Sequence, residues 1–89
     1  MKRAHVFYSG NVQGVGFRFM AVDLAMKHKI IGWVKNVSDG RVELIAEGEE
    51  SSVLNFLAEI KRVLARYISE VKFNWEPATG QFKDFSIEF

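Results

Sequence analysis

Ala4, Val6 and Tyr8 alternate with His5, Phe7 and Ser9, which predicts a strand with one buried face that ends at Gly10. Phe17, Met20, Ala21, Leu24 and Ala25 recur at helical spacing, and Lys27 and Lys29 follow where cations suit a helix C-terminus. Ile30 to Val37 is apolar and rich in β-formers. Ser38-Asp39-Gly40 is turn chemistry. Val42, Leu44 and Ala46, alternating with Glu43, Ile45 and Glu47, predict the hairpin partner. Gly48 to Ser52 opens a second helix, with two acids at its start and either Ser51 or Ser52 available as a cap. Its apolar stripe runs through Val53, Phe56, Leu57, Ile60, Val63, Leu64 and Tyr67. Val71, Phe73 and Trp75 alternate as a strand, Pro77 and Gly80 mark a loop, and Phe85, Ile87 and Phe89 predict a short last strand.

The order strand, helix, strand, strand, helix, strand, plus a short C-terminal strand, predicts an α+β fold. It is the ferredoxin-like split βαβ sandwich, an antiparallel sheet with two helices on one face. Its first and second strands run parallel. The loop after the first strand therefore lies at the same sheet end as the close of the second. Trp33, Phe73, Trp75, Phe85 and Phe89 are expected in the core and the sheet packing, and Glu43 and Glu47 are expected to be solvated.

Length and composition narrow the classes. The 89 residues, 48% hydrophobic, suit one globular domain over residues 1–89. No cysteine is present, which excludes disulfide staples and Cys-based zinc modules and suits a reducing cytoplasm. No apolar run approaches the roughly eighteen residues of a membrane span, and the opening Met1 to Gly10 has too short an apolar stretch for a signal peptide. The net charge of +1 exerts no strong pull on nucleic acid or membrane. The charge is unevenly spread: residues 1 to 45 hold seven Lys and Arg against three Asp and Glu, and residues 46 to 89 hold five against eight. A small anion favours the first half.

The loop Gly10-Asn11-Val12-Gln13-Gly14-Val15-Gly16 carries three glycines in seven residues and runs directly into a helix start. Glycines let a backbone expose successive N–H groups, and a helix N-terminus favours negative charge, so an anion cradle is one reading. A tight turn that needs Gly for geometry alone is the other. The loop matches neither the P-loop nor the dinucleotide fingerprint. Arg18 sits in the first helical turn, where a cation is misplaced unless an anion lies between it and the N–H groups. Its guanidinium can grip a phosphate with two parallel bonds. Asn36 ends a β-rich run, either to begin the turn or to orient a water with its amide. The two histidines, His5 and His28, show no metal spacing, and no Ser/His/Asp set stands out.

Gly10-Asn11-Val12-Gln13-Gly14-Val15-Gly16-Phe17-Arg18 resembles the first signature of the acylphosphatase family, and Gly32 to Val42, continuing to Gly48, resembles its second. The likeness covers essentially the whole chain. Asn11 stands where a basic residue is frequent in the family, and the tail around Asp84 to Ile87 matches loosely. The resemblance implies hydrolysis of acyl phosphates to carboxylate and inorganic phosphate, with no metal or organic cofactor. It implies Arg18 as the phosphate-binding catalytic residue and Asn36 as the residue that positions water. The backbone of Gln13, Gly14, Val15, Gly16 and Phe17 would cradle the phosphate. Expected partners are a small acyl phosphate, with inorganic phosphate or sulfate as competitors, and no nucleic acid or membrane. The enzyme is expected to be a cytoplasmic monomer. RNA-recognition modules share the element order but need aromatics on the third strand. Here that strand, Arg41 to Glu47, is acidic and has none.

Overall fold

The computed structural model describes residues 1–89. Strands β1 (Lys2–Gly10), β2 (Ile31–Asn36), β3 (Val42–Gly48), β4 (Ile68–Glu76) and β5 (Phe85–Glu88) form one sheet in the order β4-β1-β3-β2-β5. Helices α1 (Phe17–His28) and α2 (Glu50–Val63) pack on one face of it. The first four strands pair antiparallel, as the ferredoxin-like reading requires, whereas β5 pairs parallel to β2. The sheet is therefore mixed, with its exception at one edge.

The alternation read in β1 and β3 sorts the two faces. Ala4, Val6, Tyr8, Val42, Leu44 and Ala46 point at the helices and are buried. They meet Phe17, Ala21, Leu24 and Ala25 of α1 and Val53, Phe56 and Ile60 of α2. The α2 stripe extends to Tyr67 in sequence, but the α-helix stops at Val63 and Ala65–Tyr67 winds as a 3₁₀ turn. That turn feeds β4, which starts at Ile68 and so is longer than its alternating core of Val71 to Trp75.

Three expectations about burial need correction. Phe73 and Trp75 point to the helix side but are only partly covered, because β4 is an edge strand that α2 overlaps incompletely. Phe89 lies past the end of β5 and is exposed, while Trp33 faces away from the helices and is half-buried; Phe85 alone of the five aromatics joins the core. Glu43 and Glu47 are not solvated: Glu43 is half-buried against His5, and Glu47 is fully buried. The chain explains Glu47. β4 and β5 occupy opposite edges, so the segment between them must cross the sheet. It does so on the face without helices, over Glu47. The Glu47 carboxylate accepts from the Thr79 N–H at 3.0 Å, the Gly80 N–H at 2.8 Å and Arg3 Nε at 2.7 Å.

Candidate functional site

Between β1 and α1 the chain turns through Gly14 at φ 77° and Gly16 at φ 80°, both in the left-handed region that a side chain disfavours. Gly16 is also the N-cap of α1 and offers no side chain to satisfy the first helical N–H groups. The first backbone bond of the helix is Met20 N–H to the Gly16 carbonyl at 3.0 Å. No backbone N–H from Asn11 to Phe19 donates to a protein acceptor, whether carbonyl or side chain. The loop thus presents a run of free donors that ends on the positive end of a helix dipole.

These donors edge a cavity of about 260 Å³ lined by Val12, Gly14, Gly16, Phe17, Arg18, Phe19 and Asn36. Topology brings its members together. β1 and β2 are parallel and both flank β3, so the β1–α1 loop and the close of β2 share one end of the sheet. Val12 and Phe17 are buried and anchor the loop in the core. Arg18 enters none of the ion pairs of the protein; the contact on its guanidinium is the Phe89 ring, 5.4 Å away. Arg41, at the neighbouring hairpin, is by contrast committed: its Nε donates to Asp39 at 2.9 Å and its guanidinium sits 4.3 Å from the Phe7 ring.

Of the residues singled out in the sequence, Gly14, Gly16, Phe17, Arg18 and Asn36 line this cavity. Val15 packs against the core beside it. Gln13 does something its motif position did not suggest. Its side-chain Nε2 donates to the Val37 carbonyl at 2.8 Å and the Arg41 carbonyl at 3.0 Å, which ties the loop to the hairpin that carries Asn36. The sequence alone holds no signal for this bond, because its partners are main-chain atoms 24 and 28 residues away. Phe19 also lines the cavity, and as an exposed residue that breaks no helical pattern it carries no signal in the sequence.

The remaining titratable groups lie elsewhere. His5 sits on the open face of the sheet between Glu43, 2.6 Å from Nε2, and Glu76, 2.8 Å from Nδ1. Burial pulls its pKa down, but the bonds to Glu43 and Glu76 and their charges outweigh it and leave it above the usual 6.5. Glu59 is bonded by His28 and Lys27, which bring its pKa down to about 2. No group of three or more His, Cys, Asp or Glu side chains is placed to hold a metal ion. A larger recess of about 400 Å³ beside the end of α1, lined by Val22, Met26 and Ile31 among others, is mainly apolar.

A family model described as Acylphosphatase matches residues 4–87. The chain is 44% identical over 90 residues to an acylphosphatase of Pyrobaculum aerophilum, covering 98% of this chain and 94% of that one. Its structure resembles the crystal structure of acylphosphatase from Bacillus subtilis, with a TM-score of 0.91, 33% identity and complete coverage of both chains. It also resembles a part of full-length HypF, solved in a phosphate- and nucleotide-bound form. There the TM-score is 0.88 at 32% identity, over 99% of this chain and 12% of that one.

Proposed function

The chain belongs to the acylphosphatase family, hydrolases of acyl phosphates, and we propose that it carries out this reaction in the pocket of Arg18 and Asn36 without a metal ion. One observation carries the reading. A run of unpartnered N–H groups, a guanidinium without a carboxylate and a side-chain amide meet in one small cavity. Such a set fits a phosphoryl group: the N–H groups and helix dipole bind its oxygens, and the Arg18 fork binds two of them.

The chemistry asks for little more. Asn36 holds a water whose oxygen attacks phosphorus. The P–O bond to the acyl group breaks, and its electron pair leaves on the carboxylate. The parent acid has a pKa of roughly 4, so the leaving group departs without a proton donor. The water's proton passes to a phosphoryl oxygen, since an amide accepts none at neutral pH. A loose phosphoryl transition state is served by position and by stabilisation of charge on the equatorial oxygens. Arg18 and the loop donors supply the charge stabilisation, and Asn36 supplies the alignment.

Hydrolysis of benzoyl phosphate in the presence of chelator tests this. Arg18→Ala should lower kcat/KM on the order of a hundred- to thousandfold, and Arg18→Lys should recover little because the fork is lost. Asn36→Ala should lower kcat far more than it weakens inhibition by inorganic phosphate. Full activity in Arg18→Ala, or activity that vanishes with chelator and returns with a divalent ion, overturns the reading.

A further inference from the structure

The phosphate pocket has a second component that phosphate does not use. Phe19 lines the cavity and is 69% exposed. Helical periodicity places it there: Phe17, Ala21, Leu24 and Ala25 form the buried side of α1, and Phe19 is two residues on from Phe17, near the opposite side. Nothing in the packing of the fold requires a phenyl ring at this position. The other lining residues leave no free apolar surface. Val12 and Phe17 are buried in the core, Gly14 and Gly16 have no side chain, and Arg18 and Asn36 present polar groups. Phe19 is therefore the one lining side chain with apolar surface to offer a ligand.

We propose that Phe19 is an acyl-group subsite, and that it makes acyl phosphates with an aromatic acyl group preferred over those with a small one such as acetyl. The proposal rests on the phosphate-site reading above. In-line displacement puts the attacking water and the acyl group on opposite sides of phosphorus. The water side is the sheet side, where Asn36 closes β2. The acyl group leaves on the other side, past the first turn of α1, and there the ring of Phe19 covers one face of it.

Phe89 sets a useful contrast. The parallel register pairs Glu88 with Lys35, which brings Phe89 level with Asn36. Its ring is fully exposed and lies over the Arg18 guanidinium. It is close to the same pocket and equally apolar, but it does not line the cavity.

The test compares kcat/KM for benzoyl phosphate with kcat/KM for acetyl phosphate. Wild type should favour benzoyl phosphate. Phe19→Ala should lower the benzoyl-to-acetyl ratio by about tenfold, the value expected for losing about 50 Å² of apolar burial. Phe19→Tyr should keep the ratio, and Phe89→Ala should move it by less than twofold. Competitive inhibition by benzoylphosphonate, whose P–C bond does not break, should weaken in Phe19→Ala relative to inhibition by inorganic phosphate. An unchanged ratio in Phe19→Ala, or an equal fall in Phe89→Ala, overturns the subsite while acyl phosphate hydrolysis stands. Wild-type protein that hydrolyses neither substrate overturns the phosphate-site reading as well.

Discussion

Gln13 joins the two halves of the pocket, and its removal should separate placement from chemistry. Its amide donates two hydrogen bonds, to the Val37 and Arg41 carbonyls at 2.8 and 3.0 Å. Those carbonyls also accept from the Gly40 and Val37 N–H groups at 3.0 and 2.8 Å, so Gln13→Ala orphans neither. The loss is two neutral bonds with no unpaired group left behind, about 1–2 kcal/mol in all. In a domain of this size, about 1.5 kcal/mol lowers Tm by roughly 6–12 °C. The catalytic effect comes on top. Without the tie, the loop donors and Asn36 no longer share a frame, and loose placement of reacting groups is costly even when every group is present. We expect kcat to fall by about tenfold, with inhibition by inorganic phosphate changed less, since the donors that bind phosphate all lie on the loop side. Thermal unfolding followed by circular dichroism and benzoyl phosphate turnover read the two effects separately. A normal Tm would refute the energetic argument. A lowered Tm with unchanged kcat would refute the positioning role and leave Gln13 as a structural link alone.

Glu47→Ala should destabilise by about 3–5 kcal/mol in urea unfolding, because it leaves Arg3 and two backbone N–H groups without their carboxylate under the crossing segment; a loss below about 1 kcal/mol would show that the segment does not depend on it. Stability should also fall with alkali. The folded pKa of His5 is raised, so its contribution is complete below about 6.5 and disappears as pH rises through the folded value. The urea midpoint should accordingly drop between pH 6 and pH 9, and less so in His5→Gln; equal drops in both proteins would remove His5 from the account. At the acid end the sign reverses. Burial pushes the Glu47 pKa up, but the Thr79 and Gly80 N–H groups and Arg3 outweigh it, and Glu59 is held at about 2, so their contributions fade as pH falls below about 4.5. Gly16→Ala should cost about 1 kcal/mol from its left-handed backbone at φ 80°, with no steric clash within the protein, as its Cβ would meet no neighbour within 4 Å; a stabilised variant would contradict the assigned conformation.

Much of the site could be read before the fold was known. A cation in the first turn of a helix after a glycine-rich loop is electrostatically out of place, and that anomaly singled out Arg18. Asn36 stood out as a poor strand residue at a strand end. What pairs them is topology: a split βαβ order makes β1 and β2 parallel, so Arg18 and Asn36, 18 positions apart, meet at one end of the sheet. The anchoring by Gln13 was not legible, because a side chain that bonds main-chain carbonyls leaves no residue-type signature in its partners.

Local periodicity determined which face each strand and helix would bury, and with it the element order and the fold class. A period of two or of 3.6 depends only on the residues within the element. Tertiary structure decided how deeply each face was covered. Phe73 and Trp75 alternate as regularly as Val6 and Tyr8, yet β4 has a neighbour on one side only and stays partly open. Glu47 occupies a position that periodicity assigns to solvent, yet it is buried, because the link between the two edge strands must pass over it. Solvent exposure is set by the whole surface that a position faces, and residues far away in the chain supply most of that surface.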